Sequence, residues 1–137
     1  MANSELFDTS RVGLNLPAEV GMPVGEVQTP ALLIDLARFE QNVSRMGEYV
    51  REAGIGFRAH AKTHKSVDIA HYQIARGGAH GICCQKVSEA EVMVAGGIND
   101  VLVSNQVVDP NKIRRLVDLS TRARILVFAL YNRGVLQ

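Results

Sequence analysis

Gly56-Phe57-Arg58-Ala59-His60-Ala61-Lys62-Thr63-His64-Lys65-Ser66 is the stretch on which the fold turns. Its alternation predicts a strand over about 56–62, because successive side chains of a strand point to opposite faces. Phe57, Ala59, Ala61 and Thr63 then share a small, largely apolar face that packing helices can cover. Arg58, His60, Lys62 and, if the strand extends, His64 share the other. Burying unpaired cations costs several kcal/mol each, so such a face needs an anion or the solvent at a strand's end. The bland alternative is an exposed edge strand with solvated charges. Active sites of parallel α/β proteins lie at the carboxyl ends of strands, and Lys62 falls there. A lysine at such a place loses its proton more readily when partly desolvated. A neutral amine can condense with an aldehyde, and a phosphorylated aldehyde would bring the anion this face wants.

Outward from that segment the chain repeats one pattern. Strands are expected at about 80–85, 100–104 and 124–130, and helices at about 66–76, 87–95 and 110–120. Upstream, Ala31-Leu32-Leu33-Ile34 reads as a short buried strand closed by Asp35. Phe39, Val43, Met46 and Val50 then recur at helical spacing up to Gly54. Glycines before three of the strands suit helix C-caps, where a positive φ costs glycine nothing. Ser88 with Glu91 three residues on reads as a capping box, and Pro110 suits a first helical turn. Strand and helix alternating at short spacing means a parallel sheet with right-handed crossovers. Residues 1–28 carry glycine and proline without an apolar period and read as an irregular arm; residues 29–137 form the domain.

Two architectures remain. An open flavodoxin-like sheet fits 137 residues without a missing piece. A (β/α)8 barrel needs roughly 250 residues, so the chain supplies about half of one. Length favours the open sheet, and the polar strand ends favour the barrel. Gln85 and Lys86 end one strand, and Ser104, Asn105 and Gln106 end the next, as one side of a pocket would.

Composition removes several function classes. The net charge is +1, aromatics are 5% and tryptophan is absent, which disfavours nucleic-acid binding. No apolar run approaches the roughly 20 residues that span a bilayer, and the first ten residues lack a signal peptide's apolar core. Cys83 and Cys84, the only cysteines, point to opposite faces of a strand, so a disulfide between them would be strained. They are expected to be reduced and buried in a cytoplasmic protein. His71 and His80 have no partner at ligand spacing.

Arg58 to Lys65, R-A-H-A-K-T-H-K, resembles the R-P-H-x-K-x-H-K signature of D-threonine aldolases, 3-hydroxy-D-aspartate aldolases and eukaryotic-type D-serine dehydratases. These are pyridoxal-phosphate (PLP) enzymes of the alanine racemase-like group. G-I-C-C-Q-K-V-S-E-A-E from Gly81, Gly97-Ile98-Asn99-Asp100-Val101 and the following S-N-Q-V-V look like the aldolase branch, and T-P-A-L-L-I-D-L from Thr29 resembles the family's first strand. Ala59 stands where the family usually has proline. The resemblance runs from about Val27 to about Val127 and is lost from about Phe128.

The resemblance implies the N-terminal half of a (β/α)8 PLP-binding barrel with parallel strands, the family's carboxy-terminal β domain being absent. It implies Lys62 as the Schiff-base lysine, with Arg58, His60, His64, Gln85 and Asn105 as cofactor contacts. The implied reaction is retro-aldol cleavage of a small D-3-hydroxyamino acid, D-threonine or 3-hydroxy-D-aspartate, to glycine and an aldehyde. A divalent metal, Mn or Mg, is implied for full-length members, but its ligands are not in this chain. A homodimer is implied for full-length members. On this reading the chain is a truncated or frame-shifted fragment, poorly stable and inactive alone. Competing readings are a PLP carrier or homeostasis protein, a D-serine dehydratase-like lyase, and a non-enzymatic open-sheet domain with Lys62 at its surface.

Overall fold

Ile82, Val101 and Val103 are completely buried, and each alternates along its strand with a residue of the opposite face. That alternation organises the chain. In the computed structural model, which describes residues 18–128, four strands follow one another: β1 (Arg58–His60), β2 (Gly81–Cys84), β3 (Asp100–Gln106) and β4 (Arg124–Phe128). All pair in parallel, in the order β1-β2-β3-β4. Helices α1 (Leu36–Glu52), α2 (Val67–Gly77), α3 (Val87–Ala95) and α4 (Pro110–Ser120) alternate with them. Each helix starts and stops for local reasons. Ser66 Oγ accepts from the Ile69 amide at the start of α2, and Gly78 ends it in the left-handed conformation at φ 68°. Asp109 caps α4 ahead of Pro110.

The sheet's strand order decides the architecture. A doubly wound sheet reverses its order and puts helices on both faces. Here the order runs on without reversal, and the buried face of every strand meets the helices. Ala59, Ala61, Ile82, Cys84, Val101 and Val103 form one core with Ala70, Val87, Ala90, Met93, Val94, Leu116 and Leu119. The other face, carrying Arg58, His60, Leu102 and Ser104, is only partly covered. A singly wound sheet of this kind is part of a (β/α)8 barrel, and its partly covered face is the lumen side.

Four expectations need correction or bounding. Ala31–Ile34 forms no strand among the described residues: Leu32 is 95% exposed and Leu33 61%. Four apolar residues do not make a strand unless a neighbour takes up their backbone groups. The capping box is not Ser88 with Glu91. α3 begins after Lys86, so Glu89 is the residue whose carboxylate reaches back to the Gln85 and Lys86 amides at 2.8 and 3.3 Å, and Glu91 instead forms a bidentate ion pair with Arg115 of α4. The strand expected over 56–62 is regular only from Arg58 to His60. Residues 129 and 130 of the expected fourth strand, and the first 17 residues, lie outside the described residues.

The chain divides into two compact units after Asp35. Among the described residues of the first, a 3-10 turn spans Val24–Glu26. All four strands belong to the second. No helix among the described residues is long and apolar enough to cross a membrane.

Candidate active site

β1 gives way after His60 to a tight turn, yet the chain stays in register with β2 one residue longer, because the Ala61 amide donates to the Cys83 carbonyl at 2.8 Å. Lys62 follows at once. It is exposed and sits on the carboxyl-terminal rim of the parallel strands. Among the described residues its amine has no ion-pair partner within 4 Å. The turn closes when the Lys65 amide donates to the Ala61 carbonyl at 2.7 Å, which puts Lys65 at φ 52°. A non-glycine residue is uncommon in that left-handed region, and such strain gathers at functional sites.

His60 points to the lumen side. Its Nδ1 accepts the Lys62 backbone amide at 3.2 Å, and its Nε2 lies 3.3 Å from Ser104 Oγ. Ser104 in turn donates to the Cys84 carbonyl at 3.3 Å. His64 is half-buried, and burial pushes its imidazole below the ordinary histidine range against the opposing pull of Gln73 and the Ser66 backbone. Its Nδ1 accepts from the Ser66 amide at 3.0 Å. Its Nε2 is buried within the hydrogen-bonding influence of the Gln73 side chain, whose Oε1 is buried too, and neither atom meets a partner in hydrogen-bond geometry. Gln85 and Asn105 are exposed at the ends of β2 and β3, where with Lys86, Lys112 and Arg115 they line a cleft of about 420 Å³.

Arg58 stands apart from this group. It lies at the amino end of β1, where Nε and Nη2 donate to the two oxygens of Asp100 at 2.6 and 3.0 Å. Arg124 Nη1 adds a third bond at 3.0 Å. The cationic row inferred from the sequence is therefore one residue shorter. Arg58 has a carboxylate partner of its own, at the opposite end of the strand from Lys62. The pair spans β2, because Gly81 leaves the space open: a Cβ there would sit 2.8 Å from Asp100 Oδ1. The Arg58 guanidinium holds the Asp100 carboxyl below the usual carboxylate range.

Sequence reasoning missed Asp100, and it read Ser104 only as one polar strand end. The pairing of β3 with β4 jumps from Val103↔Val127 to Gln106↔Phe128, so Ser104 and Asn105 bulge out of the ladder. A bulge re-aims side chains, and no local sequence signal announces this one.

Residues 34–131 match the family model described as "Alanine racemase, N-terminal domain". The chain belongs to this family. Within the alanine racemase N-terminal domain family its relatives are specific. It is 50% identical over 113 residues to the 3-hydroxy-D-aspartate aldolase of Paracoccus denitrificans, covering 82% of this chain and 29% of that protein. It is 47% identical over 116 residues to the D-threonine aldolase of an Arthrobacter species, covering 85% and 30%. The crystal structure of D-threonine aldolase from Filomicrobium marinum superposes with a TM-score of 0.79 at 50% identity, covering 82% of this chain and 30% of that one. The chain thus spans under a third of the length of the relatives it matches.

Proposed function

We propose that this chain provides the PLP-anchoring part of an aldolase that cleaves D-3-hydroxyamino acids, D-threonine or 3-hydroxy-D-aspartate, to glycine and an aldehyde. The observation that carries it is Lys62: an exposed amine, without an ion-pair partner among the described residues, on the carboxyl rim of a singly wound parallel sheet. The set fits PLP. Arg58, the one guanidinium of the signature, is held at the far end of the strand by Asp100. The groups left at the rim are the Lys62 amine and the exposed carboxamides of Gln85 and Asn105, donors and acceptors suited to a phosphorylated aldehyde. Bound there, PLP supplies an aldehyde with which an amine condenses, with loss of water, and a ring that accepts the electron pair of a breaking carbon–carbon bond.

Lys62 Nζ is the group that binds it covalently. His64 supports the turn that carries Lys62, its Nδ1 engaged by the Ser66 amide and its Nε2 buried within the hydrogen-bonding influence of Gln73. Gln85 and Asn105 are the next polar groups along the rim. Among the described residues no three of His, Cys, Asp and Glu converge as metal ligands. The high identity to two aldolases supports carbon–carbon cleavage over dehydration. Two buried free thiols support a reducing, cytoplasmic setting.

The test is a borohydride-trapped peptide map of the PLP-treated chain. The label is expected on Lys62 and is lost in Lys62→Ala. Label spread over the lysines with no excess at Lys62 refutes the assignment.

A further inference from the structure

We infer that His60 is a positioning residue for Lys62, holding its backbone through a one-way hydrogen-bond relay that ends at the bulge of β3. The inference rests on Lys62 being the cofactor-bearing amine. Three contacts define the relay's direction. The Lys62 amide is a donor only, so His60 Nδ1 must accept it. A neutral imidazole with Nδ1 accepting carries its proton on Nε2, which therefore donates to Ser104 Oγ. Ser104 Oγ, having accepted, gives its own proton to the Cys84 carbonyl. Every donor meets an acceptor in one order only. Reversing the tautomer would set two N–H groups against each other at Lys62.

The relay draws on three strands. His60 comes from β1, the carbonyl from the last residue of β2, and the hydroxyl from the bulged part of β3. The alternation of β3 carries Ser104 onto the lumen face, where its hydroxyl bridges His60 and Cys84. Past the Ala61–Cys83 bond no ladder hydrogen bond holds the chain, so the residue bearing the amine is anchored by a side chain. His64 plays no part in this, since its Nδ1 serves the Ser66 amide.

The experiment uses the full 137-residue chain with PLP as the probe. The rate of borohydride-trapped labelling at Lys62 is read against that of added Nα-acetyl-lysine in the same mixture, a reference that shares no surface with the chain. Ser104→Ala and His60→Leu are expected to slow Lys62 labelling about tenfold, the equivalent of one lost hydrogen bond. Ser104→Thr keeps the hydroxyl and His60→Asn keeps an acceptor near Nδ1, so both restore most of the rate. The far-UV circular dichroism of Ser104→Ala stays at the parental value, which separates a slower Lys62 from a lost fold. Nitrogen-15 NMR of the chain without PLP, at neutral pH, gives a second readout: His60 as the Nε2–H tautomer in the parent, and mixed tautomers in Ser104→Ala. Parental labelling by Ser104→Ala, or an Nδ1–H or doubly protonated His60 in the parent, overturns the relay. Absence of preferential Lys62 labelling in the parent overturns the function proposed above instead, and the tautomer alone then decides the relay.

Discussion

Replacing Asp100 by alanine removes the acceptor of three charge-assisted hydrogen bonds while leaving Arg58 in place. The Asp100 side chain is 14% exposed and that of Arg58 22%, whereas that of Arg124 is 65% exposed. The Arg124 contact is therefore screened and adds at most a few tenths of a kcal/mol. The bidentate Arg58 pair lies between an exposed pair, worth under about 1 kcal/mol, and a fully buried one, whose breakage costs about 3–5 kcal/mol. Asp100→Ala should destabilise the chain by about 2 kcal/mol, which for a domain of this size lowers Tm by roughly 8–15 °C. Arg58→Met fills similar space without charge. In a cycle with Asp100→Ala, the double variant should be about 1–2 kcal/mol less destabilised than the sum of the singles. The pH dependence has a fixed sign. Asp100 is held below its unfolded value, so its contribution is complete above about pH 4 and fades as pH falls through the folded value. The gap between parent and Asp100→Asn should close on acidification. Chemical denaturation of the five proteins at neutral and acid pH measures all of this. Additive single substitutions, or an Asp100→Ala variant as stable as the parent, would refute the pairing across Gly81.

Ile82→Ala, at a position with no exposure, should cost about 3 kcal/mol, while Val92→Ala, at 54% exposure, should stay within about 0.5 kcal/mol in the same denaturation assay. Lys65→Gly relieves the positive φ and should stabilise by about 0.5 kcal/mol, whereas Lys65→Val should lose about 1 kcal/mol or more; equal effects would refute strain there. Burial pushes the Cys84 thiol up to about 12, so mass-mapped alkylation at neutral pH should spare Cys84 until the chain is unfolded. Cys83, on the lumen side, should react first.

How far the sequence could be read depended on whether each signal was local. Phe39, Val43, Met46 and Val50 lie on one face of a helix, and α1 spans Leu36–Glu52 as that spacing requires. Gly78 and Pro110 ended and began helices by their own backbone preferences. Ala31–Ile34 failed because a strand exists only through its neighbours. Glu89 was passed over because the cap is Lys86, two residues before Ser88, and that changes which carboxylate can reach back. The site divides the same way. Lys62 was legible from alternation and position, but the Arg58–Asp100 pair joins residues 42 apart, and the His60–Ser104 contact joins residues 44 apart. Strand order decides both, and no window of sequence contains it.

The bland account of the basic run, a solvated edge strand, is owed part of the structure: β1 is an edge of the four-stranded sheet, and Lys62 is exposed. That account predicts the same treatment for every cation along the strand. The structure treats them differently. At the amino end Arg58 is matched by a carboxylate reached across β2, over a glycine that leaves room for it. In the middle His60 is bound at both ring nitrogens. At the carboxyl end the exposed Lys62 amine has no ion-pair partner among the described residues. Polar groups are thus satisfied up to the rim and left open there. A solvated edge gives no reason for that gradient, whereas a ligand received at the carboxyl end of the strands does.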